Sequence, residues 1–208
     1  MPEKLIDRTC REFTSLLAAK VPVPGGGASA LVGALGSALG SMAGNMTLGR
    51  KKYAAVEEDL RVLLEKGAEI QTRLLELVDA DAAAFEPLSR AYSIPKDDPT
   101  HDAVLEEATK RACAAPMETL EQCAKAVELL EGLLEKSSVM LISDVGCGAT
   151  CCRAAMECAA LNVFINTKTM KNRVTAAALE HRTDALLQEY GARATAVADA
   201  VRVQLRGK

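Results

Sequence analysis

Apolar residues recur every three or four positions along almost the whole chain, the period of helices that lie on a core. Leu5, Thr9, Phe13 and Leu16 fall at i, i+4, i+8 and i+11 and predict a first amphipathic helix. "VPVPGGG" breaks it, because the residue before each proline is pushed out of helical geometry. A helix of small residues then runs to about Leu48, where Gly49 ends it. A long helix follows from about Tyr53 to Tyr92, then a loop at "IPKDDPTHD". The next helical run covers Ala103 to Lys136, with a kink expected at Pro116. "SSVMLISD" is a connector, and Ser143 or Asp144 can cap a helix reaching about Ile165. "NTKTMKN" is the last loop before a helix from about Arg173 to Arg206. No strand alternation, fixed-period repeat or low-complexity tail interrupts this pattern. The fold class is all-α: one domain over 1–208, an antiparallel bundle of long helices with a central Gly/Ala/Ser-rich helix.

That central stretch, "PGGGASALVGALGSALGSMAGN", holds no charge from Ala28 to Leu48. A membrane span would fit by length, but the segment lacks Phe, Ile and Trp, has no aromatic belt, and no second span is evident elsewhere. A phosphate loop needs Lys followed by Ser or Thr, and "GNMTLGR", with Lys51 next, has no such pair. Gly25, Gly26 and Gly27 open the helix, and their free N–H groups could hold an anion. Gly36, Gly40 and Gly44 form one i, i+4 ridge, and Gly33, Ser37 and Ser41 the next. Interior glycines cost about 0.5–1 kcal/mol each relative to Ala. Close helix packing explains them, with room for a ligand as the alternative and a dimer contact as a use for one ridge.

On the long helix, Leu60, Leu64, Gly67, Ile70 or Gln71, Leu74, Val78, Phe85 and Leu88 make one largely apolar stripe, and Asp81 falls on it. Asp79 lies nearer the polar side. A carboxylate is rarely buried without cause. Burial would raise its pKa and suit it to proton transfer, whereas a structural Asp holding a neighbouring helix fits the spacing equally. After Asp144, the residues Gly148, Cys151, Ala155, Cys158, Asn162 and Asn166 share one approximate face. Asn162 and Asn166, at i and i+4, could present two amides to one ligand or bond to a neighbouring helix.

Composition narrows the functional classes. A net charge of −3 and 3% aromatic content give no pull towards nucleic acid and no base-stacking platform. Arg50-Lys51-Lys52 is a short basic run: a solvated helix end, or a receiver for an anionic tail. Cys147, Cys151, Cys152 and Cys158 match no zinc spacing and read as small buried residues, so no metal is expected. His101 and His181 read as solvated surface residues. The N-terminus lacks an apolar targeting segment, and seven cysteines are an odd number, so a cytoplasmic protein with reduced thiols is expected.

Four segments together, "VPVPGGGASALVGALGSALGSMAGNMTLGRKKY", "LVDADAAAF", "IPKD" and "SDVGCGATCCRAAMECAALNVFIN", resemble the formiminotransferase-cyclodeaminase C-terminal domain and the stand-alone methenyltetrahydrofolate cyclohydrolases that share it. The resemblance runs from about Asp7 to Leu187. Two departures stand out: cysteines replace the usual Ala or Ser in the fourth segment, and "KSSVMLISD" lacks the Gly-Asn that often precedes Ser-Asp. The resemblance implies an all-helical homodimer, a tetrahydrofolate substrate and no further cofactor.

It also implies that the acidic functional residue lies in "DAD", on Asp81 by the stripe argument, with Asp79 as fallback. Asp144, Asn162 and Asn166 would orient the substrate, and Gly25, Gly26, Gly27 and Ser29 would line the cleft or hold an anion. The leading expectation is 5-formiminotetrahydrofolate cyclodeaminase, which forms 5,10-methenyltetrahydrofolate and ammonia. The alternative is hydrolysis of the methenyl compound, and a reading of another class is a non-catalytic helical assembly module.

Overall fold

A computed structural model describes residues 4–20 and 25–207 of the chain. The helices are α1 (Cys10–Leu17), α2 (Gly25–Thr47), α3 (Glu57–Ala91), α4 (His101–Ala112), α5 (Ala114–Lys136), α6 (Ile142–Thr167), α7 (Arg173–Leu186) and α8 (Ala192–Arg206). Short 3₁₀ turns at Leu5–Asp7, Lys51–Val56 and Val139–Leu141 lead into α1, α3 and α6. No strand occurs among the described residues. The break expected at Pro22 and Pro24 lies outside them.

The four long helices run up, down, up, down as α2, α3, α5 and α6. Gly27 faces Val78, Gly33 faces Leu74, and Gly44 faces Leu64, so α2 and α3 are antiparallel. Gly33 faces Ala155 and Gly36 faces Cys152, so α2 and α6 are antiparallel too. Against α5 the order is reversed: Gly33 meets Cys123, Gly40 meets Leu130 and Gly44 meets Leu133. This diagonal pair therefore runs parallel, as diagonal helices of an antiparallel four-helix bundle do. Diagonal helices touch here because the α2 glycines remove the side chains that would hold them apart. A Cβ on Gly36 would lie 2.8 Å from the Gly148 carbonyl oxygen, and one on Gly148 would lie 2.6 Å from that of Gly36. Both glycine ridges are consumed inside the chain, which leaves neither for a dimer contact. Leu60, Leu74, Val78, Leu120, Val127 and Met156 fill the surrounding core.

Local departures from the sequence reading have physical causes. The break between α4 and α5 falls at Cys113, three residues before Pro116. Proline has no N–H for the carbonyl four residues back and its ring clashes there, so Pro116 sits in the first turn of a new helix. Neither Ser143 nor Asp144 caps α6; the 3₁₀ turn ending at Leu141 leads in without a side-chain cap. The final helical run holds a π turn at Leu187–Gly191. α2 is not alone in being apolar. It and the 139–167 segment are both long and apolar enough to cross a membrane by length and composition, with 56% and 44% of those windows buried in the bundle.

Candidate active site

Asp81 points from α3 into the bundle, 6% exposed, against the first turn of α2. Its Oδ2 accepts a hydrogen bond from the Gly27 amide at 2.8 Å. That amide belongs to the first helical turn, where N–H groups lack intrahelical partners, and the helix dipole favours negative charge there. The anion expected at these glycines is thus the protein's own carboxylate. Two missing side chains permit the contact: a Cβ on Gly26 would strike the Asp81 carboxylate, and one on Gly27 would lie 2.8 Å from the Val78 carbonyl oxygen. Burial pushes the Asp81 carboxyl up to about 6 from 3.8, and the Gly27 hydrogen bond opposes the rise only in part. A carboxyl at that value takes and returns protons near neutral pH.

The other residues singled out from sequence are placed unequally. Gly25 is exposed beside Gly26 and Gly27. Ser29 is buried, but its hydroxyl donates to the Gly26 carbonyl at 2.8 Å and so closes its own helix instead of lining a cleft. The antiparallel register that sets Gly33 against Ala155 sets the Asn162 turn of α6 level with the start of α2. Asn162 is half-buried and its amide donates back to the Cys158 carbonyl at 2.8 Å. Asn166 hydrogen-bonds the Cys113 thiol at the α4–α5 break, which partly offsets the burial that pushes this thiol up to about 11. Asp144 does not join the group. It lies in the first turn of α6, about 27 Å from Asn162 at about 1.5 Å per residue, at the other end of the bundle.

Asp79 is turned elsewhere. Its Oδ1 accepts the Leu5 amide at 2.7 Å and its Oδ2 is shielded without a hydrogen bond. No sequence signal announced this link between residues 74 positions apart. The cysteines divide: Cys152 is buried, Cys151 half-buried, and Cys147 and Cys158 are exposed, against the reading of all four as buried. No group of three or more His, Cys, Asp or Glu residues that could hold a metal forms among the described residues. His101 is half-buried, its Nδ1 2.9 Å from the Ile94 carbonyl oxygen, and His181 is exposed. A groove of about 480 Å³ between α3 and α5 is lined by Leu63, Lys66, Ile70, Arg73, Lys125 and Leu129 and contains none of the expected site residues.

The sequence model of the formiminotransferase-cyclodeaminase family matches residues 9–185. The chain is 36% identical over 191 residues to a methenyltetrahydrofolate cyclohydrolase of Methylorubrum extorquens, covering 89% of this chain and 92% of that protein. It is 32% identical over 200 residues to the formimidoyltransferase-cyclodeaminase of Rattus norvegicus, covering 94% of this chain but only 37% of that longer protein. The crystal structure of a formiminotetrahydrofolate cyclodeaminase from Thermotoga maritima superposes with a TM-score of 0.83 at 27% identity, over 98% of both chains. These matches, together with the all-helical architecture, place the chain in the cyclodeaminase/cyclohydrolase family of folate enzymes.

Proposed function

We propose that this protein hydrolyses 5,10-methenyltetrahydrofolate, with Asp81 as the proton-transfer group. The observation that carries the reading is the buried Asp81 carboxyl, held by the Gly27 amide with its pKa raised to about 6. At pH 7 such a group is mostly ionised and starts as a base. It takes a proton as water attacks the bridging carbon and returns it to the nitrogen whose bond to the tetrahedral carbon breaks, while the hydroxyl proton leaves to solvent as the formyl carbonyl forms. Identity of 36% to a cyclohydrolase over 92% of its length supports hydrolysis ahead of ammonia release.

The second reading, cyclodeamination of 5-formiminotetrahydrofolate, is supported by the fold shared with the Thermotoga maritima cyclodeaminase. There the same carboxylate would take the attacking nitrogen's proton and return it to the departing amine. Gly25, Gly26 and the half-buried Asn162 would border the substrate in either case.

Two substrates separate the readings. A hydrolase removes the methenyl chromophore faster than buffer does. A deaminase releases ammonia from the formimino compound and accumulates that chromophore. Inertness towards both overturns the enzyme reading and leaves the helical assembly module.

The assembly is proposed to be a homodimer through the outer faces of α2 and α6. Leu35, Met42 and Met46 on the charge-free α2 and Leu161 and Ile165 on the adjacent α6 are exposed. A face of this kind ordinarily marks an interaction site. Light scattering should give twice the chain mass of 22.0 kDa, and Met42→Glu should return the protein to the monomer. A wild-type monomer at micromolar concentration refutes the dimer.

A further inference from the structure

We infer that Ser29 is a positioning residue for Asp81: its hydroxyl fixes the Gly26–Gly27 peptide group so that the Gly27 amide stays aimed at the carboxylate. Ser29 is 3% exposed. Its Oγ donates to the Gly26 carbonyl oxygen at 2.8 Å, with the Gly25 carbonyl oxygen farther off at 3.4 Å. The Gly26 carbonyl and the Gly27 N–H are the two ends of one planar peptide group. The N–H end donates to Asp81 Oδ2 at 2.8 Å. Ser29 and Asp81 therefore hold the same rigid plane from opposite ends, and the hydroxyl restrains the direction in which the amide points.

The local sequence creates the need for such a restraint. Both glycines are required for the approach: a Cβ on Gly26 would overlap the Asp81 carboxylate, and one on Gly27 would lie 2.8 Å from the Val78 carbonyl oxygen. Yet a peptide group flanked by two glycines has the widest freedom to rotate about its neighbouring bonds. It also lies in the first turn of α2, where N–H groups lack helical partners and helices fray. Close approach thus comes with a loosely held donor, and the Ser29 hydroxyl steadies it. The two bonds also reinforce each other, because donation to the carbonyl polarises the peptide and strengthens its N–H as a donor.

Asp81 is well placed to report this effect. Two influences act on it, burial and the opposing Gly27 amide, and among the described residues no charged group adds to them. α2 carries no titratable side chain along its length, and Asp79 is turned to the Leu5 amide. The strength of one hydrogen bond is then the means by which α2 sets the proton affinity of Asp81.

The test is nitrogen-15 NMR of the Gly27 amide with a carboxyl carbon-13 titration of Asp81, in the wild type, Ser29→Ala and Ser29→Thr. Alanine fits the space of serine and favours the helix, so the fold is kept. In the wild type the Gly27 amide proton should titrate with Asp81, because it is bonded to the group that ionises. In Ser29→Ala that pH-dependent shift should fall by about half. The Asp81 acid dissociation constant should drop about threefold, as the bond that favours the carboxylate weakens. Threonine keeps a hydroxyl that can reach a carbonyl one turn back, and Ser29→Thr should stay within about twofold of wild type.

Two results overturn the inference: a Ser29→Ala protein in which Gly27 and Asp81 titrate as in the wild type, whatever its melting temperature, or a folded Ser29→Thr protein that titrates like Ser29→Ala. A companion measurement, the acid limb of the kcat/KM profile, should move to higher pH with the NMR value in Ser29→Ala. It alone rests on Asp81 being the reacting carboxylate. Retained turnover in Asp81→Asn would remove that reading and leave the titration result standing.

Discussion

Replacing Asp81 with Asn should cost the enzyme its turnover and make the fold more stable at neutral pH. Asn has the shape of Asp and keeps a carbonyl oxygen for the Gly27 amide, but it cannot ionise. The Asp81 carboxyl is raised from 3.8 to about 6 because the folded chain shields it. A folded-state pKa above the unfolded value means that the fold binds the proton more tightly. The stabilising contribution of that proton is fully present below 3.8 and is lost as pH rises through 6. Integrating between these values, the penalty for the ionised group is about 0.5 kcal/mol at pH 4 and about 3 kcal/mol at pH 8. With Asp81 only 6% exposed, solvent screens little of this difference. The assay is urea unfolding of both proteins across that range, paired with turnover on both folates. The stability gap in favour of Asp81→Asn should widen by about 2.5 kcal/mol from pH 4 to pH 8. Parallel pH dependence would show that Asp81 is not a desolvated carboxyl, and wild-type turnover in the variant would remove it from the chemistry.

Gly26→Ala places a methyl group against the Asp81 carboxylate, so turnover should fall at least tenfold with little change in melting temperature; unchanged turnover refutes the need for this contact. Gly36→Ala, whose Cβ would lie 2.7 Å from Cys152 Sγ and 2.8 Å from the Gly148 carbonyl oxygen, should destabilise by about 1–3 kcal/mol, measured by urea unfolding; a neutral result would mean that α2 and α6 are not in this register. A water-soluble thiol reagent should label Cys10 at any protein concentration, whereas Cys147 and Cys158, exposed on the outer face of α6, should become protected as the dimer forms. Equal labelling of all three at high concentration would place the dimer contact elsewhere.

The sequence by itself determined the helices and which one lies at the centre. Period and punctuation are local properties, so the elements could be read from Leu5 to Arg206, with errors at their ends, at the α4–α5 break and at the π turn between α7 and α8. The small-residue stretch declared a close-packed helix, because glycine is costly in a helix unless something must come near. The apolar stripe on α3 singled out Asp81, because a helix face is set by residue spacing alone. Tertiary structure decided what spacing cannot reach. The α2 glycines admit α5 along the diagonal, which requires knowing all four helix directions. The Gly27 amide became the partner of Asp81, and Leu5 that of Asp79, across 54 and 74 residues. Asp144 shares a helix face with Asn162, yet it lies at the opposite end of the bundle. Sharing a face fixes direction around a helix axis and leaves distance along it open, and only packing against neighbouring helices selects which residues meet.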